Sequence, residues 1–298
     1  MAVEVAAVPK PRRRRLRHAL VTPGRLGLPI GWLICFFLVP VGIVAAYSLG
    51  PSLAASPHPV TLKTWHDFLH STTYLRLFWS SLQLSLIVSV LVVAVAYPLA
   101  YYLALSGTKR KYVLLLLLIA PFLTSYLLRV LAWKIILGNQ GPIDSFLSSV
   151  GLHPLSLIYT RFAVILVLGY IWLPFVALPI FVSLESLDRG LLEAASDLYA
   201  SRLQAFGRVT LPLSLPGVFA AFLFVFIPTL GEFVTPSLVG GTSSSSGYMY
   251  GNAIQDLFVH GFPDWETGSV LAIFLLGVVA VLMVVFSRFL QPRQVAAD

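Results

Sequence analysis

Charge is scarce in this chain. Only 11% of its 298 residues are Asp, Glu, Lys or Arg, against about 25% in an ordinary soluble domain. So little charge cannot cover a surface facing water. Cysteine is nearly absent: Cys35 stands alone inside an apolar run. No intrachain disulfide can form, and the thiol reads as a small packed apolar group. The chain has no Gly-x-x-x-x-Gly-Lys-Ser/Thr loop to cradle a nucleotide phosphate. It has no facing pair of catalytic groups within its apolar runs, which argues against an intramembrane enzyme. His66 and His70 could share a helix face beside Asp67, but no third ligand follows at metal-binding spacing. No catalytic residue, metal site or cofactor is expected of this chain.

What is abundant is hydrophobicity, at 58% of residues. It comes in six runs, at residues 26–49, 81–105, 112–137, 162–184, 213–234 and 269–290. Each suffices to cross a hydrocarbon core, which takes roughly 20 apolar residues as a helix. Lipid offers no partner for backbone N–H and C=O groups, so runs of this kind are helices. The sequence therefore predicts an all-α integral membrane protein with six transmembrane helices over residues 26–290. A basic arm over 1–25 precedes them and a short tail over 291–298 follows. The arm's basic block leads into an apolar run too long for a signal-peptide core.

The net charge of +8 follows the same plan. Fifteen of the twenty Lys and Arg fall in the N-terminal arm, the 106–111 and 185–212 segments and the C-terminus. Lys63, Arg76 and Arg161 fall on the opposite side, and Arg129 and Lys134 within or near the third run. By the positive-inside rule both termini are cytoplasmic. No soluble face remains to carry a nucleic-acid footprint.

Between the runs, Trp65, Phe68, Leu69 and Leu75 stand near helical spacing, with Thr64 and Asp67 placed as a capping box. This predicts a helix on the outer face. The polar run 242–247 reads as a flexible linker. The inner segment 183–217 is different. Asp188 can cap one helix carrying Leu191, Leu192, Ala194, Ala195 and Leu198. Ser201 and Gln204 can form a capping box for a second, with Leu203, Phe206 and Val209 on one face. Pro212 and Pro216 are expected to punctuate the start of the fifth span. Exposed apolar residues there must pack either on the chain's own helix ends or on a soluble partner.

Glu193-Ala194-Ala195, Asp197-Leu198-Tyr199-Ala200-Ser201, Phe206, Val209, Leu211-Pro212 and Pro216-Gly217 together resemble the EAA loop of ABC importer permeases. Tyr97-Pro98-Leu99-Ala100-Tyr101 and Leu128–Trp133 are similar to the same family. Gly231-Glu232-Phe233-Val234 with Pro236 resembles its spermidine/putrescine branch. The resemblance implies that the loop between the fourth and fifth spans is a coupling helix. Its ATPase-coupling residues would be Glu193, Ala194, Ala195, Asp197, Leu198, Tyr199, Ala200 and Phe206. It implies partners too: ABC ATPase subunits that hold ATP and magnesium, a second permease subunit that is a related chain, and an extracytoplasmic solute-binding protein. The setting would be a bacterial inner membrane, and the cargo a polyamine or another small solute such as an opine, a phosphonate or an amino-acid derivative. Tyr199 departs from the family, which usually has Gly there, and implies a strained or different turn.

Ionisable groups within spans are costly, roughly 3 kcal/mol on insertion scales. Glu232 stands between Pro228 and Pro236 beside Gly231, where a broken helix would free carbonyls toward a cavity. It could bind an organic ammonium, or pair with Arg129, Lys134 or a partner chain. Tyr126, Trp133, Tyr170 and Trp172 could hold an ammonium by cation–π attraction, or serve in packing and interfacial anchoring.

Overall fold

The computed structural model describes residues 27, 29–50, 60–105, 110–153, 155–259 and 263–290. The basic arm and the C-terminal tail lie outside them. Among the described residues the regular structure is helical throughout. Five helices are long and apolar enough to cross a membrane, or six if one bent pair counts as a span.

The centre is a triad: α3 (Thr72–Leu105), α7 (Arg161–Glu185) and α9 (Arg202–Leu230). Its contact faces carry small and β-branched residues. Val88, Ala96 and Ala100 of α3, Val164, Val167 and Ala177 of α7, and Ala221 and Val225 of α9 are all buried. Lipid tails are as apolar as these side chains, so association rests on close van der Waals packing, which small residues permit. The tightest approach is at Gly217 of α9. A Cβ built there would lie 2.3 Å from Ser183 Cβ and 3.1 Å from Pro179 O of α7.

Around the triad, α1 (Pro29–Tyr47) lies outermost with almost every side chain exposed, packed on α11 (Trp265–Leu290). At one end α2 (Lys63–His70), α10 (Tyr250–Val259) and α11 close a second core of Phe68, Tyr250, Ala253, Val270 and Leu271. The Tyr250 N–H donates to Ser81 Oγ at 2.7 Å and ties α10 to α3. Nearby, Tyr248 donates to Asp256 at 2.6 Å. Burial, then that bond, pushes the Tyr248 phenol above its ordinary range.

Several expectations need correction. The third run is not one straight helix. It divides into α4 (Lys111–Leu123) and α5 (Tyr126–Leu137), and the stretch Tyr126–Ser149 that α5 opens is bent by 85° from α4. Pro121 supplies no N–H, the Thr124 hydroxyl donates to the Pro121 carbonyl at 2.6 Å, and Thr124 turns extended. The second span starts at Thr72, nine residues earlier than residue 81. Its polar first turns leave the hydrocarbon, since 34 residues rise about 51 Å.

The outer helix exists as α2, yet Leu62 is its N-cap and no side chain caps it, so the Thr64–Asp67 capping box does not form. Residues 242–247 are not a loose linker. Ser245 Oγ donates to the Gly240 carbonyl, and the Arg161 N–H donates to Ser246 Oγ at 3.3 Å. Helices α6 (Pro142–Ser149) and α10 had no counterpart among the six runs.

The fifth span ends at Leu230 and begins at Arg202, so the second short helix of the inner segment is continuous with it. Pro212 and Pro216 lie inside this helix. A π-helical turn over Phe206–Thr210 makes that possible. The Leu211 N–H bonds to the Phe206 carbonyl, five residues back, and the next residue, Pro212, has no N–H to offer. The same order recurs in α1, where a π turn over Ile34–Leu38 runs into Val39-Pro40.

Gly217→Val should force α7 and α9 apart. The expected cost is about 1–3 kcal/mol from overpacking, read as a lowered unfolding midpoint of the detergent-purified protein. The same change at Gly277, where a Cβ would meet nothing within 4 Å, should leave the midpoint within error.

Candidate functional site

Two places concentrate unusual chemistry. The first is where two broken spans meet. Tyr126 opens α5 just after the 124–125 break. Glu232 lies just past the C-terminus of α9, ahead of a π turn over Pro236–Gly240. Glu232 Oε1 accepts three bonds: from the Val234 N–H at 2.9 Å, the Thr235 N–H at 3.2 Å and the Tyr126 hydroxyl at 3.0 Å. The Tyr126 oxygen also lies 2.6 Å from Thr235 Oγ1, so Thr235 donates to Tyr126 and Tyr126 to Glu232. The carboxylate thus caps the free N–H groups of the new helical start. Its Oε2 accepts from no described group.

The carbonyls of the break do not open to a cavity as expected. Gly251 of α10 presses on them: a Cβ there would lie 2.7 Å from the Gly231 carbonyl oxygen and 2.6 Å from that of Glu232. The Asn252 amide donates to the Phe233 carbonyl at 3.0 Å and to Ser237 Oγ at 2.6 Å. What the joint leaves free is the side-chain oxygen of Glu232.

Glu232 forms no ion pair with Arg129 or Lys134 among the described residues. Arg129, one turn beyond Tyr126, is 9% exposed, and its guanidinium lies 4.2 Å from the Phe122 ring centre. Of the other predicted pathway residues, Trp133 and Tyr170 meet edge-on at 5.5 Å. Trp172 packs on Phe175 and Phe224. Phe175 meets Phe122 edge-on at 4.0 Å, so this aromatic row leads to Arg129 and not to Glu232.

The second place is the helix pair at the opposite end of α9. Helix α8 (Arg189–Asp197) is capped by Asp188, whose Oδ1 accepts from Gly190 N–H at 2.9 Å. The Ser201–Gln204 capping box forms with both of its bonds. Between them the Ala200 N–H bonds to the Ala195 carbonyl at 3.0 Å and the Tyr199 N–H to the Ser196 carbonyl at 2.9 Å. Those two bonds define a Schellman turn. Its C′ residue is Tyr199, at φ +58°. The glycine conformation is therefore kept without the glycine.

The tip is apolar and bare: Leu198 is 82%, Tyr199 97% and Leu203 79% exposed. Glu193, Ala194 and Asp197 are exposed as well, while Ala195 and Ala200 are half-buried. Phe206 turns inward. It sits edge-on to Tyr97 at 5.8 Å and Tyr101 at 5.7 Å, so it fastens the pair to α3 instead of facing outward. A cleft of about 520 Å³, lined by Tyr101, Leu192, Phe206 and Thr210, runs beneath the loop. The Lys111–Glu185 ion pair joins the starting end of α4 to the end of α7 beside it.

Residues 96–295 match the family described as binding-protein-dependent transport system inner membrane component. The chain belongs to this family. It is thus a multi-pass subunit of a bacterial inner-membrane transport system, an ABC importer permease and not an enzyme. Among its relatives is the Haemophilus influenzae spermidine/putrescine transport system permease protein PotB. It is 35% identical over 263 residues, spanning 86% of this chain and 90% of the relative. The Escherichia coli PotB protein is 35% identical over 87% of this chain and 94% of its own length. A crystal structure of a bacterial ABC transporter that imports alginate aligns with a TM-score of 0.69 at 18% identity, covering 94% of this permease and 98% of that chain. At that identity the likeness concerns the fold.

Sequence reasoning did not single out Thr235 within the 231–236 string, and had no sign of Gly251 or Asn252, which pin the joint from a segment assigned no element. The Asn252 side chain, three residues into the 250–259 segment, was a legible cue only once that segment is known to be a helix.

Tyr199→Gly should relieve the left-handed strain, which is roughly 1–2 kcal/mol for a residue with a Cβ, less the added freedom of Gly in the unfolded chain. The isolated permease should unfold at a slightly higher midpoint, whereas Ala200→Gly, outside the left-handed position, should lower it.

Proposed function

We propose that this permease is one half of the membrane channel of an importer for polyamines such as spermidine and putrescine. Its termini and its 186–201 loop face the cytoplasm, as the Lys and Arg distribution requires. ATPase subunits, which bind ATP and magnesium, grip that loop and the first turn of α9 through Leu198, Tyr199 and Leu203. A related second permease chain completes the channel, and an extracytoplasmic binding protein delivers the cargo.

The observation that carries the cargo assignment is Glu232. One oxygen is locked by Tyr126 and two backbone N–H groups, and the other is free at the meeting of two broken spans. A carboxylate held from one side offers a fixed half-partner to an alkylammonium. Its orientation is set before the cation arrives, so little ordering remains to be done on binding. The relatives named for spermidine and putrescine transport support the same class.

Glu232→Gln keeps an oxygen to accept from Val234, Thr235 and Tyr126 and removes only the charge. With the complete transporter assembled, uptake of radiolabelled putrescine should fall at least tenfold, about 1.4 kcal/mol of binding. Unchanged uptake at equal assembly rules out Glu232 as the cation's partner.

A further inference from the structure

Arg129 is the least compensated group in the described protein. It is 9% exposed, and its Nε is buried without an acceptor. Among the described residues no hydrogen bond or ion pair reaches the guanidinium, which lies over the Phe122 ring. A cation–π contact returns about 2 kcal/mol when desolvated. Burying a charge costs several kcal/mol. A cation left in this state, within a pathway for cations, needs a reason.

Its place supplies one. Arg129 stands on α5 one turn from Tyr126, whose hydroxyl donates to Glu232 Oε1 at 3.0 Å. The joint therefore holds one carboxylate and one guanidinium that are not paired with each other. Together they make the joint neutral.

We propose that Arg129 is the selectivity element that keeps inorganic cations out of the pathway. This rests on the reading of Glu232 as a cargo ligand. A potassium or sodium ion entering the joint must shed its water for a single free carboxylate oxygen, and the guanidinium one turn along α5 from Tyr126 opposes its approach. The ion gains too little and does not enter. A fixed arginine acts as an electrostatic barrier of the kind that excludes small cations from selective pores. An alkylammonium keeps other terms. It donates directional hydrogen bonds to Glu232 Oε2, which an inorganic ion cannot do. Removing the guanidinium leaves a net negative joint that attracts any cation.

The test uses the complete transporter in proteoliposomes without ATP, with trapped potassium-sensitive dye, comparing the parent with Arg129→Gln and Arg129→Lys. Arg129→Gln should raise potassium permeation at least tenfold. Arg129→Lys, which restores the charge, should be as tight as the parent, and all three should assemble equally. An Arg129→Gln transporter as tight as the parent overturns the proposal, as does Arg129→Lys leaking like Arg129→Gln. Loss of uptake of 5-aminopentanoate in Arg129→Gln without any leak also overturns it, because the guanidinium then serves a cargo carboxylate. ATP-driven putrescine uptake by the parent is measured in parallel. Its absence sinks the polyamine reading while leaving the leak comparison readable.

Discussion

Backbone that leaves its helix inside a hydrocarbon layer must find a substitute partner for every exposed N–H and C=O. The rest of this structure depends on how that demand is met. Two spans break, one at residues 124–125 and one at 231–233, and they break against each other. The Thr124 hydroxyl takes up one freed carbonyl. Glu232 takes up two freed N–H groups, and the Asn252 amide takes up another carbonyl. Helix α10 lies over the remainder. The result is irregular backbone re-bonded at these four groups, with one carboxylate oxygen left uncommitted. A polar site in a membrane protein arises here as the residue of a bookkeeping problem in hydrogen bonds.

The same demand explains how proline-rich spans stay continuous. Pro98, Pro174, Pro179, Pro216 and Pro228 all lie inside helices. Two π turns stand immediately ahead of Val39-Pro40 and Leu211-Pro212. A π turn shifts the bonding register by one residue, which absorbs the missing N–H without ending the helix. In α9 this joins the loop-side helix to a transmembrane span as one body.

The local devices with short sequence rules were legible in the sequence. The Asp188 cap, the Ser201–Gln204 box and the anomaly at Tyr199 each depend on residues within four positions of one another, and each stands in the structure. Hydrophobic length gave the spans themselves. The Thr64–Asp67 box, a device of the same kind, did not form, and the other failures depended on context beyond the local string. The 124–125 break sits in an apolar stretch, where hydropathy is blind to direction. Pro212 and Pro216 looked like punctuation because a π turn leaves no signature in composition. The 242–247 run looked like a linker because serine is as common in loops as in tight packing. Most consequential was Arg129. Its charge was plain in the sequence, while its burial depended on a bend after Pro121 that the hydropathy of the run conceals.

Helix α9 runs unbroken for 29 residues, about 43 Å. Its tightest contact, Gly217 against Ser183, falls near the midpoint. A stiff rod held at its middle is a seesaw. A sideways displacement of its Arg202 end becomes a displacement of opposite sign and similar size at its Leu230 end, beside Glu232. Drawing the two loop ends of a paired channel together would by that geometry part the far ends, with Gly217 as the fulcrum.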